Sequence, residues 1–98
     1  MLFAVLFTDK PVQGSLRAEY LQSHIHWVDQ HKHVVLVAGS LRIDPQDSPK
    51  GGLLIVEAES KASVMQIMAT DPFYTCGLRW SIEVLHWSKA LEHYQALV

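Results

Sequence analysis

Leu2-Phe3-Ala4-Val5-Leu6-Phe7-Thr8 opens the chain as a nearly unbroken apolar run, and its reading decides the fold. It is too short for an independent buried helix and suits a strand, in which successive side chains point to opposite faces. Leu2, Ala4 and Leu6 then share one face, and Phe3, Val5 and Phe7 share the other. Both faces are apolar, so the strand needs cover on both sides.

Asp9-Lys10-Pro11-Val12-Gln13-Gly14 reads as a turn-rich loop, and Ser15 stands where a cap would precede a helix from Leu16 to about His31. Val34 to Ala38 is a short β-branched strand that ends at Gly39. The segment Leu41 to Lys50 holds two prolines and reads as a loop. Gly51-Gly52 leads into a third strand, Leu53 to Ala58. Ser60 is positioned to cap a short helix from Lys61 to about Thr70, which Asp71-Pro72 stops because the residue before proline is pushed out of helical geometry. Beyond Gly77, Arg79 to Trp87 alternates as a fourth strand, with Trp80, Ile82 and Val84 on one side and Ser81, Glu83, Leu85 and Trp87 on the other. Lys89 to Val98 is expected to be a helical tail or a swapped arm. Residues 1–98 thus read as one domain with a short tail at 89–98.

The order β-α-β-β-α-β defines an α+β, ferredoxin-like fold with a four-stranded antiparallel sheet. Its helices cover one face of the sheet, yet all four strands read as largely apolar on both faces. The economical cover for the second face is another copy of the chain, which gives a homodimer paired face to face as a dimeric α+β barrel.

Composition narrows the function. With 8 Lys and Arg against 10 Asp and Glu, the chain carries a net charge of −2 and lacks the basic patch expected of a nucleic-acid binder. No apolar run approaches the ~20 residues that span a bilayer, and Met1 to Phe7 lacks the charged flank and cleavage site of a signal peptide. The lone Cys76 excludes a disulfide framework and fits a reducing, cytoplasmic setting. The six histidines raise the question of a metal. His24 and His26, two residues apart on a helix, diverge by roughly 200°. His24 and His31 share a face but lie about 10 Å apart along the axis. No metal site is expected.

On the first helix, Trp27, Tyr20, Val28, Leu21 and Ile25 span an arc from roughly 20° to 180° when Leu16 is set at zero. His24 falls within that arc at about 80° and Arg17 at about 100°, whereas His26 falls on the polar side near 280°. An inward histidine needs a hydrogen-bond partner. It is either a core residue bonded to a backbone carbonyl or to Tyr20, or a cleft histidine held by a carboxylate and suited to proton transfer near neutral pH. Asp9, Asp71 and Glu83 are the candidate carboxylates. Asp71, before Pro72, also suits a turn bond to its own backbone.

The chain resembles the YciI-like (YCII-domain) family of small dimeric α+β barrel proteins. The resemblance rests on Leu2-Phe3-Ala4-Val5, on Leu16-Arg17 followed by His24, and on Ala38-Gly39-Ser40-Leu41-Arg42. It continues through Gly51-Gly52-Leu53-Leu54-Ile55-Val56-Glu57 and Asp71-Pro72-Phe73 with Gly77. Many members have Ala-Gly-Pro where this chain has Ala38-Gly39-Ser40. The resemblance implies that His24 and Asp71 form a catalytic pair, and that some members process small chlorinated or hydroxylated aromatics.

The resulting expectation is a small enzyme that moves a proton on a small cyclic or aromatic substrate, by elimination, isomerisation or dehydrochlorination. His24 serves as base and then acid, and Asp71 holds its other nitrogen. Arg17 anchors an anion, Ser40 donates a hydrogen bond at the mouth, and Trp27, Phe73 and Trp80 form apolar walls. Such chemistry calls for no bound cofactor. The alternative is a non-catalytic ligand-binding or accessory dimer in which His24 and Asp71 are structural.

Overall fold

The computed structural model describes residues 1–11, 15–96 and 98. The order is β1 (Leu2–Asp9), α1 (Leu16–Gln30), β2 (Val35–Leu41), β3 (Gly51–Glu57), α2 (Lys61–Met68), α3 (Pro72–Thr75) and β4 (Arg79–Trp87). The strands form one antiparallel sheet in the order β2-β3-β1-β4. This is the expected α+β, ferredoxin-like arrangement, with one addition, the single turn α3. Val12 to Gly14 of the expected first loop lie outside the described residues.

The alternation read in β1 sorts its two faces. Phe3, Val5 and Phe7 are buried with Trp27, Val35, Leu54, Val56, Val64 and Met68, in one core between sheet and helices. At ~1.5–3 kcal/mol for each fully buried large apolar side chain, this cluster is the main stabilising term. Leu2, Ala4 and Leu6 point away from it. They face Leu53 and Ile55 on β3 and Leu85 and Trp87 on β4 by strand register.

Caps and stops follow local chemistry. The Ser60 hydroxyl accepts from Ser63 N at 3.1 Å and caps α2, whereas Ser15 occupies the equivalent place before α1 without a side-chain bond. Asp71 ends the α2 segment, as the following proline requires, and at once caps α3, its Oδ1 accepting from Phe73 N at 3.1 Å. Gly77, at φ +85°, makes the turn into β4 that an L side chain resists.

Gly51 answers a different need. A Cβ there would sit 2.0 Å from the Phe7 carbonyl oxygen, so β1 and β3 reach their register only without a side chain. Gly51→Ala is expected to cost about 1–3 kcal/mol as the strands are pushed apart, read as a lowered melting temperature with an unchanged helical signal.

Three expectations need correction. The alternation of β4 does not extend to Trp80. The register slips between Thr8 and Asp9, and Trp80 falls at that irregularity, two-thirds exposed. The helical tail is absent: between Lys89 and Gln95 the chain makes only a turn, closed by Tyr94 N donating to Leu91 O at 3.0 Å. The apolar arc of α1 is also only partly buried. Trp27 is buried, but Leu21 and Ile25 remain 37% and 49% exposed.

Candidate active site

That incomplete contact between α1 and the sheet leaves a cleft of about 1080 Å³. It is slightly larger than the ~300–1,000 Å³ usual for small-molecule sites. Arg17, Leu21, His24 and Ile25 line it from α1, Phe73 from α3, and Arg79 from the start of β4. Gly52 and Ser40 line it from the sheet, where they are paired neighbours on β3 and β2.

His24 Nδ1 stands 2.7 Å from Asp71 Oδ1. Residues 47 apart in sequence meet because α3 packs on α1 and its cap is Asp71. The carboxylate is fully buried, and the imidazole side chain is 13% exposed. A carboxylate accepts, so Nδ1–H donates, and the ring's remaining nitrogen, Nε2, is left for a ligand in the cleft. The ring stacks on Phe73 at 4.2 Å between centroids, nearly parallel at 12°. Tyr20 is not its partner. The turn bond considered for Asp71 also exists, since Oδ1 serves both Phe73 N and His24.

Behind this pair lies a second charged group. Asp9, 8% exposed, pairs with Arg17 through Oδ2 and with Arg79 Nη1 through Oδ1 at 2.8 Å. The Arg79 guanidinium lies over Phe7 at 4.3 Å and over Phe73 at 5.1 Å, and Arg17 lies 4.9 Å from the centre of Phe73. A Cβ on Gly52 would stand 3.2 Å from the Gly39 carbonyl oxygen, a tight approach, and 3.5 Å from Arg79 Nη2, an ordinary contact. Arg79 Nη2 is 4.0 Å from Asp71 Oδ2. Among the described residues, Asp71 Oδ2 and Arg79 Nε are buried without hydrogen-bond partners.

The expected site residues divide. His24, Asp71, Arg17 and Phe73 converge, and Ser40 lies on the cleft wall. The Ser40 hydroxyl accepts from Arg42 Nη2 at 2.7 Å. Trp27 does not line the cleft. It is buried behind His24, with its indole N–H donating to Thr70 Oγ1 at 2.9 Å. Trp80 lies outside the cleft, so neither tryptophan is a wall. Asp9 and Glu83 do not hold His24: Asp9 serves the two arginines, and Glu83 sits opposite Leu6 on the sheet face away from the core. Sequence reasoning missed Arg79. The signal was available in an arginine opening an apolar strand. Among the described residues, no three His, Cys, Asp or Glu side chains gather as a metal-binding group. No described helix is long and apolar enough to cross a membrane.

The chain belongs to the YCII-related domain family, whose model matches residues 1–88. Among solved structures it is similar to 5-chloro-2-hydroxyhydroquinone dehydrochlorinase from Burkholderia phenoliruptrix AC1100, determined in complex with 2,5-dihydroxybenzoquinone. The two share 30% identity with a TM-score of 0.77, over 90% of this chain and 94% of that one. No curated protein sequence matches the chain.

Proposed function

We propose that this protein is a small enzyme that transfers a proton on a small hydroxylated or chlorinated ring, in an elimination, dehydrochlorination or isomerisation, without a bound cofactor. The His24–Asp71 pair at the cleft carries this reading. Nε2 of His24 takes a proton from the substrate. In an isomerisation it returns the proton to the product. In a dehydrochlorination the C–Cl bond breaks with its electron pair leaving as chloride, while the imidazolium gives the proton to solvent. Asp71 holds Nδ1–H and stabilises the imidazolium formed between the two transfers. Arg17, with Arg79 behind it, offsets negative charge that develops on a ring oxygen. The similar dehydrochlorinase, which acts on a small chlorinated hydroxylated ring, supports the substrate class.

Chloride release from 5-chloro-2-hydroxyhydroquinone by the purified chain tests the reading. Turnover above the spontaneous rate is expected. An accessory binding module would take up a ring ligand and release no chloride.

The active form in this reading is a homodimer. The helices pack on one face of the sheet, and the other presents Leu6, Leu53, Ile55, Leu85 and Trp87, the last two 43% and 42% exposed. An apolar face of this kind is unfavourable in water and self-complementary under two-fold symmetry. Light scattering is expected to give twice the 11.1 kDa chain mass. Ile55→Glu is expected to halve that mass while the circular dichroism spectrum is retained. A wild-type monomer would remove the dimer from the account.

A further inference from the structure

The last turns of α1 carry an apolar stripe that the sheet leaves uncovered. Ile25 is 49% exposed, and Val28, one turn further on, is only partly buried. On β2, Leu36 is 47% exposed. α1 ends at Gln30 and β2 begins at Val35, and Val35 N donates to His31 O at 2.7 Å in the turn between them. That tight turn sets the end of α1 beside the start of β2, so Ile25, Val28, Leu36 and Ala38 wall one end of the cleft.

The other end is charged. Arg17 and Arg79 meet there at Asp9, and Arg42 Nη2 donates to Ser40 Oγ at 2.7 Å. His24 stands at the junction, with Arg17 two turns before it on α1 and Val28 one turn after. Asp29 and Lys32, the charged lining residues nearest the apolar end in sequence, pair with each other at 3.5 Å. The cleft is thus polar on one side of His24 and apolar on the other. Its volume of about 1080 Å³ suits a drug-sized molecule and exceeds what a single ring needs. Because the stripe and the His24–Asp71 pair open into one cavity, the occupant of the stripe is the molecule that His24 meets.

We infer that the apolar end is a subsite for a hydrocarbon arm, and that the ligand is a hydroxylated ring bearing a short alkyl chain. The ring meets His24 and the arginines, and the chain runs along Ile25, Val28 and Leu36. From His24 to Val28 the helix rises about 6 Å, a length that suits a chain of a few carbons. The arm takes from water the apolar surface that Ile25 and Leu36 otherwise expose beside the site. This rests on the reading of the His24 cleft as a small-ring site and names the substituent that the ring carries.

The test titrates resorcinol, 4-ethylresorcinol and 4-butylresorcinol into wild type, Ile25→Gln and Leu36→Ser, with backbone amide shifts as the readout. Each fully buried CH₂ is worth about fourfold in affinity, and in this open groove the butyl compound is expected to bind wild type at least about fivefold more tightly than the ethyl one. Its shifts should include Ile25, Val28 and Leu36. In each variant the gain should fall to about twofold or less while resorcinol binds as in wild type, since both side chains are about half exposed and their replacement leaves the fold intact. Equal affinities of the ethyl and butyl compounds in wild type, with resorcinol shifting His24 and Phe73, would overturn the arm subsite and leave the ring site standing. So would a gain that survives both substitutions, or butyl-dependent shifts at Leu85 and Trp87 on the far face of the sheet. A lower mass for Ile25→Gln by light scattering would assign the stripe to a second copy of the chain and likewise overturn the subsite. If none of the three compounds moves the cleft amides at millimolar concentration, the subsite and the ring site fall together.

Discussion

Asp9→Ala is expected to destabilise the fold by about 3–5 kcal/mol, because it leaves two guanidinium groups without their shared carboxylate. The Arg79 side chain is only 4% exposed, so its charge has little access to water once Asp9 is gone. Its closest remaining carboxylate, Asp71 Oδ2, stands 4.0 Å away. Arg17 is 21% exposed and can recover hydration, so Arg17→Gln is expected to cost much less than Asp9→Ala. Total stability for a domain is about 5–15 kcal/mol, so the loss at Asp9 is a large fraction of it. Urea unfolding checks this by a lower midpoint at an unchanged slope. A shift below about 1 kcal/mol would mean that the arginines are not held as described.

The largest expected effect on activity is at His24. Removing a positioned general base typically costs 10²–10⁴-fold, so His24→Asn is expected to lower turnover at least ~100-fold. Asparagine is chosen because its amide N–H can replace Nδ1–H as donor to Asp71, while nothing replaces Nε2. The choice matters. Asp71 is fully buried, and His24→Ala would leave its carboxylate with only the Phe73 N bond, at a cost of about 1–3 kcal/mol whether the histidine is catalytic or structural. A loss of stability in His24→Ala therefore does not separate a structural histidine from a catalytic one. His26→Asn, on the exposed side of α1, is expected to change neither quantity.

Legibility in the sequence followed range and periodicity. The two faces of β1, the order of elements and the stop at Asp71-Pro72 are local patterns, and the structure has them. The inward placement of His24 came from the helix wheel. Its meeting with Asp71 came from family resemblance, since spacing alone left three carboxylates open. The wheel overstated the burial of Leu21 and Ile25 because α1 contacts the sheet along only part of its arc, and the remainder became the cleft wall. The Asp9–Arg17–Arg79 cluster joins residues from three elements with no shared period, so no window along the chain contains it. Trp80 was misplaced because one slip in register reverses the side-chain alternation on either side of it.

The most direct measurement of the central claim is the initial rate of chloride release from 5-chloro-2-hydroxyhydroquinone, taken for wild type and His24→Asn alongside their melting temperatures. The account predicts wild-type turnover, a loss of at least ~100-fold in His24→Asn, and melting temperatures within a few degrees of each other. A wild-type rate no higher than the spontaneous one, or a His24→Asn variant that melts normally and turns over like wild type, would contradict it.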